Sequence, residues 1–216
     1  MSWLTGLLGA AGLLAIAHMD EEGPQQASCA LIAEGEDAER RGPDSFRAEC
    51  PANLPGLQQA ADGALAALDL DIRPMRYRTL TFAEEIHFQN SGTGWTPLPG
   101  QRVVGSGMQM PTRAVERGVR HMLCAFAIEP DPNGRPADVE VECFGDASGS
   151  ERRLTRAGRE GVQTWRYLPV AVRYCIDEQT LDTAHVIVGR PGQAQYAEPP
   201  SPMPDPSRLP SLCSRE

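Results

Sequence analysis

One short pattern occurs twice in this chain, and a chain that repeats itself at domain spacing has few architectures open to it. Cys29-Ala30-Leu31-Ile32-Ala33-Glu34 is echoed by Cys124-Ala125-Phe126-Ala127-Ile128-Glu129, and Phe46-Arg47-Ala48-Glu49-Cys50 by Val139-Glu140-Val141-Glu142-Cys143. Leu57 with Leu154, and Pro74 with Pro169, continue the correspondence downstream. Four anchors in one order, at an offset of about 95 residues, indicate a diverged tandem duplication. Copies of that length are domains rather than solenoid units, because each can bury a small core of its own. The expected fold class is α+β: two tandem small two-layer domains, each an antiparallel sheet of a hairpin and a further strand packed on a helix, with disulfides.

Six cysteines fall on or near the repeat, and no two are spaced Cys-x-x-Cys, which removes the usual signature of thioredoxin-type redox sites and zinc ribbons. If the copies share a fold, Cys29 pairs with Cys50 and Cys124 with Cys143, leaving Cys175 for Cys213. An intermolecular bond through Cys213 is the alternative. Each of the first two closed loops contributes about 3 kcal/mol in a chain-entropy account.

Disulfides need an oxidising compartment, and the amino terminus offers a route to one. Trp3 to Ala17 is a single apolar run too short to cross a bilayer comfortably, ending in the small-x-small pattern Ala15-Ile16-Ala17. Residues 1–17 therefore read as a signal peptide, with the mature chain beginning at His18 in the periplasm. The run carries no Arg or Lys ahead of it, so a retained inner-membrane anchor facing the periplasm is the alternative.

The formal charge of −9 argues against nucleic acid as a partner, since that needs a basic footprint. All 20 basic residues are Arg, which excludes a Schiff-base lysine, a phosphate-loop lysine and a lysine general base.

In the second copy, His121–Ile128 and Ala137–Phe144 are strand-like runs flanking the turn residues Glu129 to Pro136, a β-hairpin. Folding it about Asn133-Gly134 places Cys124 opposite Cys143. A helix follows, capped within 146–150 and carrying Leu154, Ala157, Val162 and Trp165 at near-helical spacing, with Gly158 and Gly161 each weakening it by about 1 kcal/mol. Val170–Ile176 and Thr183–Val188 read as two further strands. The first copy repeats the order, with a helix over Leu57–Leu68 and an extended run over Tyr77–Gln89. The expected domains are 24–89 and 110–190, with 90–109 a loop-bearing junction holding one short strand at Val103-Val104. A Pro-rich tail at 191–216 favours polyproline II or disorder over a packed core.

Residues 110–169 carry a family resemblance. Pro111, Ala114 and Gly118 precede the first strand, Asp131-Pro132-Asn133-Gly134-Arg135 forms the turn, and Trp165-Arg166-Tyr167-x-Pro169 closes the helix. This stretch resembles the carboxy-terminal domain of TonB-type energy transducers, most specifically through the Trp-Arg-aromatic-x-Pro ending. Met110 stands where the family places Tyr, and its Gly-x-Pro-Val approach to the last strand is missing. The resemblance implies a domain that takes an extended segment of an outer-membrane receptor along its free sheet edge, here Thr183, Ala184, His185, Val186, Ile187 and Val188. No Ser, His and Asp arrangement forms a recognisable nucleophile elbow, so no catalytic residue, metal or cofactor is expected.

The four histidines, His18, His87, His121 and His185, read more simply as surface or packing residues than as a ligand set, and Glu84-Glu85 and Asp177-Glu178 as solvated acids. The expected protein is thus a non-enzymatic periplasmic binding or adaptor protein whose partner is an outer-membrane receptor or envelope complex. A membrane-anchored energy transducer and a secreted, disulfide-stapled enzyme or inhibitor are the alternatives.

Overall fold

Both copies of the cysteine pattern close an antiparallel hairpin across its two strands. The computed structural model describes residues 24–72, 79–183, 187–188, 195–196, 205 and 213. The expected signal segment and most of the Pro-rich tail lie outside them. The chain opens with β1 (Gln25–Glu34), a one-turn helix α1 (Ala38–Arg41) and β2 (Ser45–Glu49), with Ala30 opposite Glu49 and a disulfide joining Cys29 to Cys50. Helix α2 (Leu57–Ala66) follows, then β3 (Leu80–Phe82), β4 (Glu85–Asn90), β5 (Trp95–Pro97) and β6 (Arg102–Ser106). β4 pairs with the other side of β1, giving the sheet order β2-β1-β4-β5.

The second half repeats that plan. After the short helix α3 (Thr112–Glu116), β7 (His121–Pro130) and β8 (Pro136–Gly145) form the hairpin, with Cys124 opposite Cys143 and the two disulfide-bonded. A register shift at Glu129/Pro130 widens the turn, as Pro132 requires. Helix α4 (Glu151–Val162), the short strand β9 (Arg166–Tyr167) and β10 (Ile176–Thr183) complete it, and β10 adds to the free side of β7 in the order β10-β7-β8. Among the described residues, β11 (Ile187–Val188) and β12 (Gln195–Tyr196) pair with each other and with no further strand.

Three sequence expectations are corrected. Val170–Ile176 is not a strand: only Ile176 is, at the start of β10, and Val172 is 70% exposed. β10 is instead the polar run IDEQTLDT, in which half-buried and exposed residues alternate along most of its length. An edge strand needs only one covered face, so a search for β-branched, apolar runs passes over it. Second, the expected last strand Thr183–Val188 is divided, because the strand that completes the sheet stops at Thr183, opposite His121. Ile187 and Val188 belong to the separate β11–β12 ladder, and Ala184, His185 and Val186 lie outside the described residues. Third, the run Tyr77–Gln89 is interrupted, with β3 and β4 separated at Ala83-Glu84 and residues 73–78 outside the described set. In the tail, Gln195–Tyr196 pairs antiparallel with β11.

The stretch read as a junction is built into the sheets. β6, which contains Val103 and Val104, lies between β3 of the first half and β9 of the second. Both valines are fully buried with Leu57, Ile86, Phe88 and Leu168 in one core. The other core gathers Met108, Met122, Cys124, Phe126, Ile128, Leu154, Trp165 and Tyr167 under α4. β7 is buried on both faces, since Leu123, Ala125 and Ala127 form a third cluster with Phe144 and Cys213. The third disulfide, Cys175–Cys213, brings that part of the tail onto this face.

α4 ends earlier than its spacing suggests, and Trp165 follows the helix rather than riding on it. Its two interior glycines, which cost helix propensity, lie on the buried face: a Cβ on Gly158 would stand 2.8 Å from the Cys143 Sγ, and one on Gly161 2.9 Å from Met108 Cγ. The disulfide thus occupies space that only a glycine leaves open.

Candidate functional site

Six of the eight motif residues, Gly134, Arg135, Trp165, Arg166, Tyr167 and Pro169, belong to two chain segments that meet at the seam between the halves. Pro111 and Gly118 instead bracket α3. In the hairpin turn, the Asp131 carboxylate accepts the Asn133 and Arg135 backbone N–H groups at 2.8 and 2.9 Å, tightening the loop. Gly134 has φ +77°, and its carbonyl accepts the Tyr167 N–H at 2.9 Å. A Cβ there would fall 2.1 Å from the Tyr167 carbonyl oxygen, so the Gly of the Gly-Arg turn is required both for its backbone and for its lack of a side chain.

Arg166, 4% exposed, points from β9 back into the first half. Its Nε donates to the Asp69 carbonyl at 2.7 Å, and Nη2 to the Asp69 carboxylate and the Asp71 carbonyl, both at 3.0 Å. Nη1 donates to the Gln163 and Trp165 carbonyls at 3.1 and 2.8 Å, so all five N–H donors are used. Asp69 also accepts from Arg135, and its N–H donates to the Asn133 carbonyl at 3.0 Å. The hydrogen bond from Arg135 is the main cause that holds the Asp69 carboxyl at about 2, against the opposing effect of burial. Burial pulls the Arg166 guanidinium below its ordinary value, with Asp69 resisting. A cleft of about 320 Å³ lies beside this clamp, lined in part by Asp71, Arg135, Gln163 and Arg166.

Trp165 and Tyr167 carry the clamp into the second core. The Trp165 indole N–H donates to the Ser106 carbonyl at 3.1 Å, its ring meets Phe126 edge-on at 4.9 Å, and the Arg102 guanidinium carbon stands 4.4 Å over its face. The Tyr167 hydroxyl donates to the Glu178 carboxylate at 2.5 Å, and Arg102 pairs with the same carboxylate. Burial, reinforced by the Glu178 charge, raises the Tyr167 phenol well above its ordinary value, so it stays protonated and donating. Glu178 lies on β10. The motif therefore reaches from the first half, through β9 and β6, to the strand at the edge of the second sheet.

That strand presents the other part of the site. The Cys124–Cys143 pair has a Cα separation of 4.1 Å, the spacing of a non-hydrogen-bonded pair, so Cys124 turns its main-chain groups toward β10. By the same alternation, Ile176, Glu178, Thr180 and Asp182 bond inward to β7, and the main-chain groups of Asp177, Gln179, Leu181 and Thr183 face outward. The Asp182 carboxylate accepts the Thr183 N–H at 2.9 Å, and Asp177 accepts the Cys213 N–H at 2.9 Å. No strand pairs with this edge among the described residues.

The remaining sequence candidates are not brought together. His87 is exposed on β4, His121 is buried at the start of β7, and His18 and His185 lie outside the described residues. Among the described residues no group of His, Cys, Asp or Glu is arranged to hold a metal ion, and no helix is long and apolar enough to cross a membrane. Asp69, Arg102 and Glu178 were not singled out from sequence as partners of the motif. The acidic pair Asp69 and Asp71 was visible just after α2, but nothing local relates it to an arginine 97 positions away. Comparisons with protein-family models, curated proteins and solved structures found no match.

Proposed function

We propose that the protein is a periplasmic, non-enzymatic binding protein built from two TonB-C-like two-layer halves, which takes an extended segment of a partner protein onto the outer edge of β10. The partner is an outer-membrane receptor or another envelope component. The observation that carries this reading is the eight-residue β10, an edge strand with outward main-chain groups at Asp177, Gln179 and Leu181. The repeated order supports the tandem reading, since a disulfide-closed hairpin, a helix and a third strand on the open side of the hairpin occur in both halves. Three disulfides agree with an exported chain.

A photo-crosslinking residue at Gln179 in the exported protein is the test. Adducts to one envelope protein that disappear with Leu181→Pro, a change that removes an outward N–H and leaves the β7 ladder intact, would support edge pairing. Equal adducts from a probe at Val172, or insensitivity to the proline, would refute it. The amino terminus of the same preparation, at His18 or uncleaved, separates the periplasmic reading from the anchored one.

A further inference from the structure

Five arginines, Arg113, Arg152, Arg153, Arg156 and Arg159, lie on or beside one side of α4 in a chain with 29 acids and 20 bases. Arg153, Arg156, Ala157 and Glu160 have the i, i+3, i+4, i+7 spacing of one helix face, and with Met110, Pro111 and Arg113 they line a cleft of about 440 Å³. Arg156 is met by Glu160, four residues on, at 2.9 Å. Arg113 and Arg153 have no ion pair or side-chain hydrogen bond among the described residues, although Arg153 is half-buried. Three guanidiniums against one carboxylate leave two positive charges facing the same space.

The cleft is not polar throughout. Ala157, 7% exposed, floors it with a methyl group, and half-buried Met110 and Pro111 wall one side. Its volume falls in the range of small-molecule sites, about 300–1,000 Å³. Paired guanidinium forks match the oxygen edges of phosphate or carboxylate groups, and the apolar wall suits a compact hydrocarbon body.

We propose that this cleft binds a soluble organic dianion, a phosphomonoester or dicarboxylate with a short apolar body, with Arg113 and Arg153 holding its oxygens and Met110, Pro111 and Ala157 receiving the body. The site is separate from the β10 edge and does not depend on it.

Calorimetric titration of the full-length exported protein with phenyl phosphate tests this at a pH where the probe is a dianion. Submillimolar binding that weakens about tenfold with Arg113→Gln or Arg153→Gln, and is unchanged by Arg159→Gln outside the cleft, is the expected result. Unaltered thermal unfolding of the variants shows that the loss is local. Absence of binding, or equal weakening by Arg159→Gln, overturns the proposal. So does binding to phosphatidic acid vesicles without binding to phenyl phosphate, which would assign the patch to a membrane surface.

Discussion

Gly158→Ala sets two sizeable effects against each other at one atom. On an isolated helix the change stabilises by about 1 kcal/mol, because glycine is the costlier residue in a helix interior. In this protein the added methyl would stand 2.8 Å from Cys143 Sγ, 3.1 Å from Val141 Cγ1 and 3.2 Å from Cys124 Sγ. An ordinary carbon–sulfur contact is nearly 1 Å longer, and neither sulfur can swing away, because the disulfide is fixed across two paired strands. α4 must lift off the sheet, loosening Leu154 and Val162, both fully buried. Overpacking of this kind costs about 1–3 kcal/mol. The net expectation is a loss of up to about 2 kcal/mol, seen as a lower urea midpoint with an unchanged slope and a lower melting temperature. The same substitution in a Cys124→Ala/Cys143→Ala background removes the obstructing sulfurs, and there Gly158→Ala is neutral or stabilising. If the methyl stabilises the disulfide-intact protein, propensity has outweighed packing and the close approach of α4 to the disulfide is wrong.

The seam yields further expectations. Asp69→Asn keeps an acceptor but leaves the buried Arg166 and its neighbour Arg135 without their shared countercharge, at a cost of about 2–3 kcal/mol in denaturant unfolding. Because the folded-state Asp69 carboxyl sits at about 2, below its unfolded value of 3.8, its stabilisation is complete above pH 4 and is lost as pH falls through 2. The wild-type and Asp69→Asn unfolding curves should therefore converge across that interval, by about 1 kcal/mol after allowance for solvent screening. Tyr167→Phe removes the donor to Glu178 at the root of β10 and costs about 1–2 kcal/mol, with faster amide exchange in 176–183 than in the β7–β8 hairpin. In the intact protein, ultraviolet titration should find the Tyr167 phenol still protonated until alkaline unfolding. Cys175→Ser/Cys213→Ser releases the tail from the Leu123, Ala125 and Ala127 face, and binding of a hydrophobic dye should rise while the other two disulfides stay closed.

How much of this was legible follows from where each constraint lives. The hairpins could be read because turn residues and cysteines are local signals, and the repeat supplied the rule that paired them. The two helices bury corresponding positions, Leu57, Ala61 and Leu65 in α2 and Leu154, Gly158 and Val162 in α4. An Ala fills the middle position of the first, whereas a Cβ at Gly158 would stand 2.8 Å from the Cys143 sulfur, a closeness that no spacing encodes. β10 escaped notice for the opposite reason: its stability rests on main-chain pairing and on one carboxylate held by Tyr167 and Arg102, so its sequence can remain polar. The motif residues were found, but their purpose was not. A resemblance that covers residues 110–169 cannot say that Arg166 reaches across to Asp69, since that acceptor lies outside it.

That reach links the first half of the chain to the proposed binding edge. β6 joins β3 of the first half to β9 of the second, and Arg166 sends three of its five donors to Asp69 and Asp71, holding the first half against β9. β9 in turn supplies Tyr167, whose hydroxyl meets Glu178 on β10. An edge strand that accepts a partner must keep its main chain extended while unpaired on one side, and the inward ladder to β7 alone leaves it free to fray. Anchoring Glu178 through Tyr167 and Arg102 fixes β10 near its start, so on the proposed function the contacts that hold β9 to the first half also preorganise the binding edge. On this account Asp69→Asn should weaken partner crosslinking from Gln179 under conditions where the variant is still fully folded, and undiminished crosslinking there would refute the link.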